Sequence, residues 1–119
     1  MKALELQLPD GTPAPATDFG NVRPGTTTAS REVRLVNVGD EPITDVLNLR
    51  VVQNETVAGE YRVTTGGVAL TGEWQDVLAA QGGSLAPGAF VALQEAWHVP
   101  AGVTDIGADT GFLDWQYLR

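Results

Sequence analysis

The side chains able to do chemistry in this chain are few and scattered. Asp105, Gly107, Asp109 and Gly111 form D-x-G-x-D-x-G, carboxylates alternating with flexible glycines, a spacing that could wrap a calcium ion in oxygen ligands. Calcium takes six or more oxygens, and the further acids of an EF-hand loop are absent, so the stretch reads as a solvated turn in which Asp105 and Asp109 are the candidate metal ligands. His98 is the single histidine and there is no cysteine. No second histidine or cysteine exists to complete a zinc set, and His98 reads as a lone surface or edge residue. The serines are Ser30 and Ser84, neither in a G-x-S-x-G turn, which argues against an activated nucleophile. Phosphate-cradling glycine motifs are missing. Fifteen acids permit many carboxylate pairs, but a count does not put two of them across a glycosidic bond. The chain reads as a non-enzyme with no cofactor.

Binding is the remaining chemistry, and two groups of residues bear on it. Trp74, Trp97 and Trp115 are the three tryptophans, and an exposed indole on a β-sandwich can stack on a sugar ring or a partner surface. Trp97 and Trp115 fall on the apolar parity of their segments and read as core. Trp74, flanked by Glu73 and Gln75, is the candidate for exposure. At the start of the chain Leu4, Leu6 and Leu8 alternate with Glu5 and Gln7. They form either an ordinary first strand or an apolar arm that pairs with the sheet edge of a neighbouring subunit. Asn54-Glu55-Thr56 spells a glycosylation acceptor, meaningful only in a eukaryotic secreted setting.

Seven basic against fifteen acidic residues leave a net charge of −8. Arg23, Arg31, Arg34, Arg50 and Arg62 are isolated, with no basic run interleaved with aromatics, so nucleic acid is an unfavourable partner. No apolar stretch approaches the roughly 18 to 20 residues of a membrane span, and Met1–Leu8 lacks the character of a signal peptide, so a membrane is not expected as a partner.

These residues must be positioned by strands. Val33 and Leu35 alternate with Glu32, Arg34 and Val36; after a break at Gly39–Pro42, the residues Ile43, Leu47, Leu49 and Val51 share one parity. The pattern predicts a hairpin, its second strand returning across the first. Tyr61 and Val63 precede Gly66-Gly67, a hairpin turn signal, followed by Val68 and Leu70. Residues 76–81 predict a single helical turn. After the loop at 82–88, Val91, Leu93, Trp97 and Val99 share a parity that Glu95 interrupts, and Leu113, Trp115 and Tyr117 mark a closing strand. Three prolines from Pro9 to Pro15 oppose regular pairing.

Fourteen glycines and seven prolines therefore punctuate about seven short strands, the pattern of an all-β protein. The predicted core is Val33, Leu35, Leu47, Leu49, Val51, Tyr61, Val63, Val91, Leu93, Trp97, Leu113 and Trp115. One domain suits 119 residues, divided into an arm or first strand with a proline-rich crossover over 1–17 and a sandwich over 18–119.

Two resemblances rest on particular residues. Phe19-Gly20-Asn21-Val22, then Arg31, Val33, Leu35, Asn37 and Gly39, then Pro42 and Ile43, resemble immunoglobulin-like domains of the abnormal-spindle and hydin type. Phe19, Gly20 and Val22 at the start, with Val99-Pro100-Ala101-Gly102 and a final strand over 112–118, resemble small immunoglobulin-like proteins of phage virions. The resemblance implies an immunoglobulin-like antiparallel β-sandwich with an extended N-terminal arm. It further implies a bacteriophage capsid decoration or tail accessory protein, made in the host cytoplasm and placed on the virion surface. Its partner would be the major capsid protein or a tail lattice, with homo-oligomers among the expected assemblies and Leu4, Leu6, Leu8 and Trp74 as candidate contacts. The alternative is a carbohydrate-binding or cell-surface adhesion module.

Overall fold

The computed structural model describes residues 1–14, 25–54, 61–99 and 110–118. Phe19 to Val22, Arg23, Thr56, Pro100 to Gly102, Asp105 and Asp109 lie outside them, so the sequence expectations on those residues carry no structural account.

The protein is an all-β sandwich of two antiparallel sheets, an arrangement compatible with the immunoglobulin-like expectation. The larger sheet contains β1 (Leu4–Gln7), β2 (Thr26–Thr27), β3 (Arg31–Asn37), β5 (Tyr61–Thr65), β6 (Val68–Ala69) and β8 (Phe90–Val99). Its order is β1-β3-β8-β5-β6, with β2 paired to the far end of β8. The smaller sheet has the order β7-β4-β9, from β4 (Leu47–Asn54), β7 (Gln75–Asp76) and β9 (Thr110–Tyr117). The described residues thus form nine strands where the sequence suggested about seven; β2 and β7, two residues each, are too short to show alternation.

Alternation decides the core, as the period of two requires. In the β3/β8 ladder Val33 faces Leu93 and Leu35 faces Val91, all four buried. In the β4/β9 ladder Leu49 faces Trp115 and Val51 faces Leu113. Of the twelve predicted core residues only Trp115 is less than buried; it packs half-exposed against the cluster. Leu70, Val77, Leu78 and Leu85 complete the core from outside the long strands.

The predicted hairpin is not formed. β3 and β4 lie in different sheets: β3 pairs with β1 and β8, whereas β4 pairs with β7 and β9. Between them the chain crosses the sandwich, and Ile43 exchanges two backbone hydrogen bonds with Leu85, of 3.0 and 2.8 Å. The N-x-G element is what directs this crossing. Asn37 is 1% exposed; its Nδ2 donates to the carbonyls of Glu41 and Leu85, both at 2.9 Å, and its Oδ1 accepts the Gly39 N–H at 3.0 Å. A Cβ on Gly39 would collide with the backbone of Met1–Ala3, so this position needs glycine for close approach.

The hairpin predicted at Gly66-Gly67 is present. Both glycines have positive φ, +56° and +81°, the conformation of a two-residue type I′ turn, and Thr65 pairs with Val68 across it. Just beyond, Leu70 N–H donates to Val63 of the larger sheet while Thr71 C=O accepts from Val51 of the smaller one. The chain therefore passes from the larger sheet to the smaller one again here and leaves the flank of the sandwich open. The helical turn predicted over 76–81 is a single 3₁₀ turn, Ala79–Gln81.

Candidate binding surfaces

That open flank forms a cleft of about 420 Å³, within the range of small-ligand and side-chain pockets. Its walls come from the β5–β6 hairpin (Thr65, Gly66, Val68), from Leu70, from β7 and the 3₁₀ turn (Gln75, Asp76, Val77, Ala80, Gln81) and from the start of β8 (Phe90, Ala92). Val68 is 56% exposed at the opening, whereas Phe90, 38% exposed, has the Arg34 guanidinium over its ring, 4.3 Å from the centroid. Gln75 Oε1 is buried without a hydrogen-bond partner among the described residues, an arrangement that ordinarily costs free energy. Asp76 Oδ1 is occupied by the N–H groups of Leu47 and Leu78. Nothing in the sequence pattern marked this cleft, because its walls are contributed by loops, two-residue strands and only the ends of β5 and β8.

Trp74 is not the open platform that its neighbours suggested. It is half-buried, and the Arg50 guanidinium lies over its ring, 4.2 Å from the centroid, a cation–π contact. Arg50 also donates from Nε and an Nη to Asp114 Oδ2, at 3.2 and 3.1 Å. One step along the same face Asn48 Nδ2 donates to Gln116 Oε1 at 2.9 Å. Asn48–Gln116 and Arg50–Asp114 are directly opposed in the β4/β9 register, so the polar groups of this face bond one another.

A second arginine–carboxylate cluster lies inside the sandwich. Glu95, 4% exposed, accepts at Oε1 from Arg31, at 3.0 and 2.8 Å, and at Oε2 from the Tyr61 hydroxyl at 2.6 Å. Trp97 packs beside Tyr61, with ring centroids 6.0 Å apart. Burial raises the Tyr61 phenol well above its ordinary value, and the hydrogen bond to Glu95 raises it further. The residue that merely interrupts an apolar face in the sequence is thus the acceptor that ties β3, β5 and β8 together.

The remaining predicted positions are dispersed. His98 Nδ1 lies 2.7 Å from Thr27 Oγ1 across the β2/β8 pair. Among the described residues no three His, Asp or Glu side chains gather at metal-binding distance, and no helix is long and apolar enough to cross a membrane. Leu4, Leu6 and Leu8 are half-buried against the core, and β1 pairs along its length with β3 of its own sheet. The structure does not bring the leucines together with Trp74, which belongs to the other sheet's outer face. The chain matches no protein-family model and no curated protein sequence.

Proposed function

We propose that the protein is a non-enzymatic virion structural protein that docks on a bacteriophage capsid or tail through protein–protein contacts. The observation that carries the docking part is the open cleft: exposed Val68 beside Gln75, whose buried Oε1 has no hydrogen-bond partner among the described residues. An apolar side chain with a hydrogen-bond donor beside it meets both needs, which is what a partner's peptide segment offers. The virion part is supported by the sequence resemblance carried by Phe19, Gly20 and Val22, by Val99-Pro100-Ala101-Gly102 and by the final strand over 112–118. The net charge of −8 keeps free subunits apart before docking. The alternative of a glycan-binding module has less support, since Arg50 covers a face of Trp74 and the neighbouring polar groups are paired among themselves.

The test is co-sedimentation of the purified chain with assembled capsids and with tails, alongside a panel of glycans. Saturable, stoichiometric binding to one kind of particle is the expected result. Binding to glycans with none to particles would replace this reading by the adhesion module.

A further inference from the structure

The edges of the two sheets are not equally protected. An exposed strand edge presents unpaired N–H and C=O groups and is a template for another chain unless it is short, covered, or carries lysine or proline. The edge of β1 is covered where the chain folds back: Gln7 bridges Pro13 and the Ala14 N–H donates to Leu6 C=O at 2.9 Å. The edges β6 and β7 are two residues long. β9 runs eight residues, Thr110–Tyr117, contains no lysine, arginine or proline, and pairs on one side only among the described residues.

The geometry of that free side follows from its paired one. On β4, Leu47 C=O and Val51 N–H are bonded to Val77 and Thr71 on the side away from β9. Asn48 and Arg50 therefore present their backbone groups to Gln116 and Asp114, and the backbone groups of Leu113, Trp115 and Tyr117 point outward from the sheet edge. In the free chain the Trp115 N–H is capped by Asp114 Oδ1 at 3.0 Å, a local bond that an incoming carbonyl can replace.

We propose that this edge pairs with the β9 edge of a second copy of the chain, antiparallel, with Trp115 opposite the second copy's Trp115. In that register Leu113 faces Tyr117 on the core side, and Asp114 faces Gln116 on the outer side, in both directions at once. The pattern is self-complementary, as a two-fold interface requires. Sliding by two residues so that Asp114 faces its own copy places two carboxylates together, which is unfavourable. The site also answers the charge problem of joining two chains of −8, because the acid at the edge is already paired with Arg50 at 3.1 Å. The two small sheets would join into one of six strands, continuing over Trp115 and Tyr117, which the three-stranded sheet leaves half-buried.

Sedimentation equilibrium of the isolated chain, over a concentration series, tests the pairing without any particle and so independently of the docking proposal. The expected result is a mass rising from 12.6 kDa towards twice that value. Gln116 is exposed, so its variants fold. Gln116→Lys, facing Asp114, tightens the dimer and Gln116→Glu loosens it, each by roughly 2- to 30-fold across the two symmetric pairs. A monomer at every concentration up to about 1 mM, where only contacts of about −4 kcal/mol or weaker escape detection, overturns the proposal. So does a dimer that responds to neither variant or equally to both.

Discussion

Arg31–Glu95–Tyr61 and Arg50–Asp114–Trp74 are built from the same parts, an arginine opposite a carboxylate on paired strands with an aromatic ring beside them. They differ in where the carboxylate sits. The Glu95 side chain is 5% exposed and that of Asp114 is 36% exposed. Inside, the Glu95 carboxylate has little water to fall back on, although the Arg31 side chain is 32% exposed, and the buried groups left by removal of one member are poorly solvated. Outside, water replaces either partner and screens both, so the pair contributes little. The inner cluster therefore fixes the relative positions of β3, β5 and β8, while the outer one dresses a surface and neutralises an edge.

The comparison is sharpest in the energetics of single substitutions. Glu95→Ala removes the acceptor of both Arg31 and Tyr61, and denaturant unfolding is expected to show a loss of about 3 kcal/mol or more. Leu35→Ala and Leu49→Ala set the scale of pure packing. Both residues are fully buried, and each is expected to cost about 2 to 5 kcal/mol; losses under about 0.5 kcal/mol at both would contradict the assigned strand faces.

Tyr61→Phe keeps the ring against Trp97 but deletes the donor to Glu95, for an expected loss of about 1 to 3 kcal/mol at neutral pH. Its pH signature is separate. A phenol whose folded pKa is raised is stabilising in its protonated form, so its contribution is complete below the unfolded value of about 10 and declines as pH rises beyond it. Stability of the wild type should fall above about pH 10, and Tyr61→Phe should flatten that limb in pH-dependent unfolding. Asp114→Ala closes the series at the small end, with an expected change of about 1 kcal/mol or less. A cost equal to that of Glu95→Ala would remove the distinction between the two clusters.

The long strands are legible in the sequence because alternation is a local signal: Val33/Leu35, Leu47/Leu49/Val51 and Val91/Leu93 each state their buried face without reference to the rest of the chain. The Gly66-Gly67 turn is legible for the same reason, since its backbone demands φ above zero. What the sequence does not carry is the choice of partner strand. A glycine and proline break after Asn37 is compatible with a hairpin within one sheet or with a crossing between two, and the choice is made by Asn37 reaching Leu85, 48 residues away. Glu95 is opaque for a related reason, because its partners come from Arg31 and Tyr61 on neighbouring strands. The cleft is hardest of all: it exists only where the 70–76 segment changes sheets, and no periodicity records a corner.

Docking through the cleft is open to test by a single substitution. Val68 is exposed on the β5–β6 hairpin, so Val68→Asp leaves the core intact, with an unchanged thermal unfolding transition as the control. Binding of wild type and variant to the particles that the wild type recognises should be measured by sedimentation across a concentration series. A loss of affinity of roughly tenfold or more is expected for a charge placed in a desolvated contact. Equal affinity for the two proteins would contradict docking through the cleft.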